Sequence, residues 1–197
     1  MWYWIFRVGF SIFFKLFFKF TVEGLENIPK KTNFIIVANH ASWIDPILIM
    51  VAIPRKIYCI ASRSLYKIWW LAWFLKKTEA FPTGHSSGKG VDLLTENKIV
   101  GLFPEGGCSR DGKLKAFRRG MAFLAVKTGR PVLPCAIIGS RQALPREARF
   151  PKLFLPLRVK IAKPIFMIKE FDLTMSDVYL QEGTLKIRNV IKEMLCA

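Results

Sequence analysis

Short apolar runs rich in Ile and Val recur along the chain, separated by stretches in which apolar residues return every three or four positions. The short runs predict strands at Phe34–Ala38, Ile57–Ala61, Ile99–Phe103, Val132–Ile138 and Leu157–Ile161, with a shorter candidate at Glu79–Phe81. The longer stretches predict helices at Pro46–Val51, Leu65–Lys76, Val91–Asn97, Ala116–Lys127 and from about Ser176 to Leu195. Strands alternating with helices predict an α/β domain: a central, mostly mixed β-sheet flanked by helices. Gly129 and Pro131 punctuate that pattern, the glycine capping a helix and the proline opening a strand. Pro46 suits the first turn of a helix, which makes Asp45 a candidate helix cap as well as a candidate reactive group.

The segment before the first strand has a different pattern. Met1–Phe20 reads MWYWIFRVGFSIFFKLFFKF, and Arg7, Ser11, Lys15 and Lys19 recur every fourth position. On a helix they form one polar stripe, with Trp and Phe over the other faces. Its uncharged run, Val8–Phe14, is far short of the ~20 apolar residues that span a bilayer. No small-residue cleavage site follows it, as a signal peptide would require. A helix buried against the domain would tolerate lysines only at its edge. The expectation is an amphipathic membrane-associated helix over residues 1–21, lying in the headgroup zone with its lysines toward anionic lipid, followed by an α/β domain over residues 22–197. A second aromatic stretch, Leu65–Leu75, carries Trp69, Trp70 and Trp73 between lysines. As a helix it is apolar almost all round, so it belongs either in the core or partly in lipid.

Charge sharpens this picture. The chain is 52% apolar yet carries a formal charge of +17, which attracts it to nucleic acid or to an anionic membrane surface. No nucleic-acid reading module accompanies the Trp- and Phe-rich N-terminus, so the membrane is the expected partner and nucleic acid is not. Cys59, Cys108, Cys135 and Cys196 are widely spaced without metal-like pairing, and two separated histidines complete a poor ligand set. Neither a metal nor a cofactor is expected. Thiols in apolar surroundings fit a reducing compartment, hence the cytoplasmic face of a membrane.

Two polar clusters follow apolar runs. Asn39–Asp45 reads NHASWID, and Phe103–Gly112 reads FPEGGCSRDG. The ends of strands are where α/β sheets present reactive groups, so two such clusters suggest one site. His40 is a base that works near neutral pH, and Asp45 is an anion able to fix its tautomer. Ser42 lies between them, but its spacing does not mark it as a nucleophile. In the second cluster Gly106, Gly107 and Gly112 permit close backbone approach, and Arg110, Lys113, Lys115, Arg118 and Arg119 crowd the next positions. Guanidinium groups bond a phosphate monoester in a fork. The lysines also read as a solvated basic face drawn to lipid headgroups.

Together these residues resemble the glycerolipid acyltransferase family typified by bacterial 1-acyl-glycerol-3-phosphate acyltransferase. The matching motifs are His40 with Asp45, then Phe103-Pro104-Glu105-Gly106, then the Val-Leu-Pro stretch within Gly129–Gly139. The resemblance runs from about Val22 to the C-terminus. It implies transfer of a fatty acyl group from acyl-CoA or acyl-carrier protein to the hydroxyl of lysophosphatidic acid, forming phosphatidic acid. It also implies His40 and Asp45 as the catalytic pair, and Glu105, Gly106 and Arg110 on the acceptor, Glu105 either bonding a glycerol hydroxyl or holding a basic residue. Two positions depart from the family pattern: His85 stands where an arginine is usual, and Ser62 with Arg63 where a lysine is usual. His85 and Arg63 are the candidate replacements on the phosphate. The alternatives are another lysolipid or an acylated amino-acid lipid as acceptor, or a non-catalytic protein that binds anionic membrane.

Overall fold

A computed structural model describes residues 1–84, 86–145, 147–148, 150–167 and 177–196. His85 therefore lies outside the described residues, as does Ser176 at the expected start of the last helix. The elements in chain order are α1 (Trp2–Phe17), β1 (Lys19–Glu23), β2 (Ile35–Ala38), α2 (Asp45–Ala52), β3 (Ile57–Ala61), α3 (Trp69–Lys77) and β4 (Phe81–Pro82). There follow α4 (Ser86–Thr95), β5 (Ile99–Leu102), α5 (Gly120–Thr128), β6 (Val132–Ile138), α6 (Ser140–Ala143), β7 (Pro156–Ile161) and α7 (Asp177–Cys196).

The strands form one seven-stranded mixed sheet in the order β1-β7-β6-β2-β5-β3-β4. Strands β6, β2, β5, β3 and β4 are mutually parallel, and β7 runs antiparallel to β6 and parallel to β1. Side chains of β2 alternate between two cores. Phe34, Ile36 and Ala38 meet Leu48 and Ile53 of the α2 region and Phe14 of α1. Ile35 and Val37 meet Leu94, Met121, Leu124 and Ile187 from α4, α5 and α7. Helices thus cover both faces, which is why β2 and β6 are apolar at every position rather than at every second one.

Three expected helices are shorter, among them Ala116–Lys127, where α5 begins only at Gly120. The aromatic N-terminal pattern predicts one helix to Phe20, but α1 stops at Phe17, and Phe18 is extended (φ −143°, ψ 153°). Lys19 then pairs with Pro156 as the first residue of β1, so it leaves the helical stripe. The residues KFTVE alternate in burial, and the β-branched Thr21 and Val22 favour a strand. Leu65–Lys76 likewise divides into a short 3₁₀ turn, Arg63–Lys67, and α3, with Ile68 extended between them.

One face of α1 is docked on the domain. Tyr3 and Phe14 are buried, Tyr3 donates its hydroxyl to the Arg55 carbonyl at 3.4 Å, and the Ile57 amide donates back to that hydroxyl at 3.2 Å. Arg7 turns in from the polar stripe and donates to the carbonyls of Val51 and Ile53 at the end of α2. Trp2, Trp4, Ile5, Val8, Ile12 and Leu16 remain exposed along the opposite side. Leu75 of α3 is buried, whereas Trp69, Trp70 and Trp73 are exposed. Trp73 meets Trp2 and Phe6 edge-on. Among the described residues, no helix is long and apolar enough to cross a membrane.

Candidate active site

The five parallel strands end on one edge of the sheet, and the two motif clusters emerge there from adjacent strands, β2 and β5. The chain leaves β2 through α2 on one face and β5 through α5 on the other, and a crevice forms where neighbouring strands part in this way. Asn39 anchors the end of β2: its amide donates to the Ile137 carbonyl at 3.0 Å and accepts the Ile137 amide at 2.7 Å. His40 is therefore held by the register of the sheet.

Asp45 is wholly buried at the first turn of α2. Its Oδ2 lies 3.0 Å from Nδ1 of His40 and accepts the amides of Ala41 and Ser42, both at 2.7 Å. The carboxylate thus bends back onto the preceding loop, rather than capping the helix it begins. An anion accepts from Nδ1–H, so Nε2 is the nitrogen left as base. Phe103 lies against the imidazole with ring centroids 4.5 Å apart, which limits how the ring can turn. Ser42 donates its hydroxyl to the Leu144 carbonyl at 2.6 Å and is itself buried. That arrangement makes it a strut, not a nucleophile.

Glu105 joins the two clusters through backbone. Its Oε1 accepts the His40 amide at 2.8 Å and its Oε2 accepts the Lys115 amide at 3.3 Å. Burial pushes its carboxyl above the usual range, and the two amide bonds pull it back only in part. The Ser109 amide donates to the His40 carbonyl at 2.7 Å, so His40 is held through both its N–H and its C=O by the second cluster. Neither link is visible in the sequence, since backbone partners need no particular side chain.

The basic groups lie around this brace. Gly106 has φ +72°, and a Cβ there would sit 2.6 Å from the Arg118 guanidinium. Arg118 is named above only as one basic residue among several; the structure alone brings it against the FPEG turn. Gly84 has φ +115°, and a Cβ there would sit 2.5 Å from the Arg63 guanidinium. Arg63 donates to the Thr83 carbonyl at 2.7 Å, which lays it along the turn after β4 at the same sheet edge. Arg110 is exposed, and its carbonyl accepts from Arg141 of α6. Lys115 donates to the Cys108 carbonyl at 3.1 Å, and Arg188 of α7 holds the carbonyls of Leu114 and Lys115. A hydrogen-bonded dyad at a strand end, with guanidinium groups on loops of the same sheet edge, can deprotonate a hydroxyl while an anion is held nearby. An apolar cavity of about 50 Å³ lies between α1, α2, α3 and the start of β3, lined by Tyr3, Pro46, Ile47, Met50, Ile57 and Phe74.

All four cysteines are thiols, and burial pushes those of Cys59 and Cys135 up to about 12, which keeps them protonated. Among the described residues, no three His, Cys, Asp or Glu side chains gather into a group that could hold a metal ion.

Residues 19–138 match the family model described as Acyltransferase. The chain is 36% identical over 125 residues to the 1-acyl-sn-glycerol-3-phosphate acyltransferase of Bacillus subtilis, covering 60% of this chain and 62% of that protein. It is 30% identical over 127 residues to the protein of the same name from Borreliella burgdorferi, covering 60% and 51%. The crystal structure of the 1-acyl-sn-glycerophosphate (LPA) acyltransferase PlsC from Thermotoga maritima superposes with a TM-score of 0.76 at 29% identity, over 96% of this chain and 76% of that one. The chain spans 49–62% of the length of the first curated relatives it matches.

Proposed function

Because the chain belongs to the acyltransferase family, we propose that it moves a fatty acyl group from acyl-CoA or acyl-carrier protein to the sn-2 hydroxyl of lysophosphatidic acid, forming phosphatidic acid. The observation that carries this reading is the 3.0 Å contact between His40 Nδ1 and Asp45 Oδ2, which leaves Nε2 as the base. Relatives named for 1-acyl-sn-glycerol-3-phosphate support the acceptor.

In this reading an unactivated hydroxyl is a poor nucleophile, so a base must remove its proton as attack proceeds. His40 Nε2 takes that proton while the hydroxyl oxygen bonds to the thioester carbonyl carbon. Asp45 steadies the imidazolium that results. The tetrahedral intermediate then collapses with cleavage of the C–S bond, and the imidazolium returns its proton to the departing thiolate. Arg110, Arg118 and Arg63 hold the phosphate of the acceptor, and Glu105 acts through His40 as a brace. His85 is a further proposed phosphate contact.

The same reading places the protein peripherally on the cytoplasmic face of a membrane, with α1 against an anionic surface. The net charge of +17 and the exposed aromatic side of α1 support it. Ser62, where the family usually has a lysine, supports a second reading in which another lysolipid is the acceptor.

The test is acyl transfer by membranes containing the protein, with labelled donor and lysophosphatidic acid, beside His40→Ala. Histidine-dependent phosphatidic acid is the expected product. Absence of transfer with both donors, in folded protein, would overturn the acceptor assignment.

A further inference from the structure

The loop between α6 and β7 presents apolar side chains to solvent beside the site. Phe150 is 74% exposed, Phe154 is 66% exposed, and Leu153 is exposed with them. Phe154 adopts φ +63°, a left-handed conformation that costs a bulky residue about 1–2 kcal/mol. A surface loop has no folding reason to put phenylalanine there, because glycine or asparagine would fit more cheaply. Two backbone bonds fix this conformation to the end of α1 and the start of β1: the Phe154 amide donates to the Phe17 carbonyl at 2.8 Å, and the Lys19 amide to the Leu155 carbonyl at 3.3 Å. The Lys152 amide donates to the Ala143 carbonyl at 2.7 Å, closing the loop onto α6.

The position of this loop follows from strand direction. Since β7 and β1 run against β6, their first residues lie on the edge where β2 and β5 end. The C-terminal end of α1 and the α6–β7 loop therefore share the edge that carries His40. Ser42, whose amide bonds Asp45, also donates its hydroxyl to the Leu144 carbonyl at the root of the loop. Leu16 and Phe17 continue the apolar surface along α1, and Lys15, Lys19 and Lys152 flank it, all exposed. Apolar side chains bordered by lysines complement an anionic bilayer, whose acyl chains take the rings while its headgroups take the charges.

We infer that the loop around Phe150, Leu153 and Phe154 is a second membrane-inserting element, which with the end of α1 seats the His40 edge of the sheet against an anionic lipid surface. The inference rests on the proposed membrane location and adds to it a contact outside the N-terminal helix. It has a functional consequence: with α1 alone as contact the domain could roll about the helix, whereas a second contact fixes which edge faces lipid.

The experiment is partition of the full chain onto sedimenting vesicles, either phosphatidylglycerol with phosphatidylethanolamine or phosphatidylcholine alone. Wild type is compared with Phe150→Ser/Phe154→Asn, asparagine being chosen because it tolerates the left-handed backbone. The double variant should bind anionic vesicles about tenfold or more weakly, as expected for two phenyl groups withdrawn from an apolar environment, with its circular dichroism and melting temperature unchanged. Phe154→Leu should retain most of the binding. Equal partition of wild type and double variant would overturn the inference, as would wild type that fails to bind anionic vesicles or binds both compositions alike. A dimer that dissociates in the double variant without change in partition would instead assign the patch to a second copy. Acyl transfer to lysolipid dispersed in detergent, measured in parallel, reads the proposed activity separately: its absence leaves the vesicle result standing.

Discussion

Oδ2 of Asp45 serves His40 Nδ1 and two successive backbone amides at once, at distances of 3.0, 2.7 and 2.7 Å. The imidazole is thus oriented by an atom that the loop itself holds in place. Replacing His40 by Ala removes the proposed base and should lower acyl transfer by about 10²–10⁴-fold, with circular dichroism unchanged. Asp45→Asn should lower kcat comparably, and should also destabilise the fold, since the loop amides then lose a charged acceptor. Near-normal turnover of either variant in the transfer assay would remove the dyad from the mechanism.

Glu105→Gln tests the brace. A glutamine offers one acceptor and one donor where two amides must be accepted. One amide is left facing an N–H group, at a cost of about 1–3 kcal/mol, measurable as a lower denaturant midpoint. The pH dependence follows from the raised carboxyl. A carboxyl whose folded value lies above its unfolded value binds more protons in the folded state between the two. Its contribution to stability is therefore complete below the unfolded value and lost as pH rises through the folded one. In wild type, that falling component should accompany mildly acidic pH; in Glu105→Gln it should be absent.

Gly106→Ala combines backbone strain at φ +72° with a methyl group driven toward the Arg118 guanidinium. The strain costs about 1–3 kcal/mol, and the displaced guanidinium should raise KM for a phosphorylated acceptor more than it lowers kcat. Arg118→Ala should raise the same KM without the loss of stability. An unchanged KM in steady-state kinetics would take Arg118 away from the acceptor.

Arg110→Ala should likewise raise KM for the phosphorylated acceptor, with little effect on an acceptor lacking phosphate. Comparing the two acceptors checks this directly.

Arg7→Met probes the attachment of α1. Its guanidinium donates to the Val51 and Ile53 carbonyls at 3.1 and 3.3 Å, where the end of α2 favours positive charge. Loss of these charged bonds should cost about 1.5–3 kcal/mol, seen as a lower melting temperature, and should increase amide exchange along α1.

Strands β2, β3, β5 and β6 are legible in the sequence because each carries a short apolar run of the kind a sheet covered by helices requires, and β7 because Leu157, Val159 and Ile161 alternate with Arg158 and Lys160. β1 is hidden because its alternating KFTVE continues an aromatic pattern that reads as helix until Phe18 turns extended. β4, with two residues, is only partly legible: the short candidate at Glu79–Phe81 meets it at Phe81 alone. The contact between His40 and Asp45 is legible because both partners are side chains close in sequence. The links from Glu105 to the His40 and Lys115 amides are not, since backbone groups belong to every residue. Arg118 against Gly106 is of the same kind: only the positive φ singles the pair out, and it is a property of the folded turn.

The pairing of β1 with β7 also constrains the order in which the molecule can be made. Lys19 finds its partner only at Pro156, so the sheet stays open on that side until β7 has left the ribosome. At ordinary elongation speeds the interval is on the order of ten seconds. Throughout it, α1 can lean on α2 and α3 but lacks its backbone bonds to Phe154 and, through Lys19, to Leu155. Whatever surface meets the nascent helix first, bilayer or chaperone, does so ahead of folding.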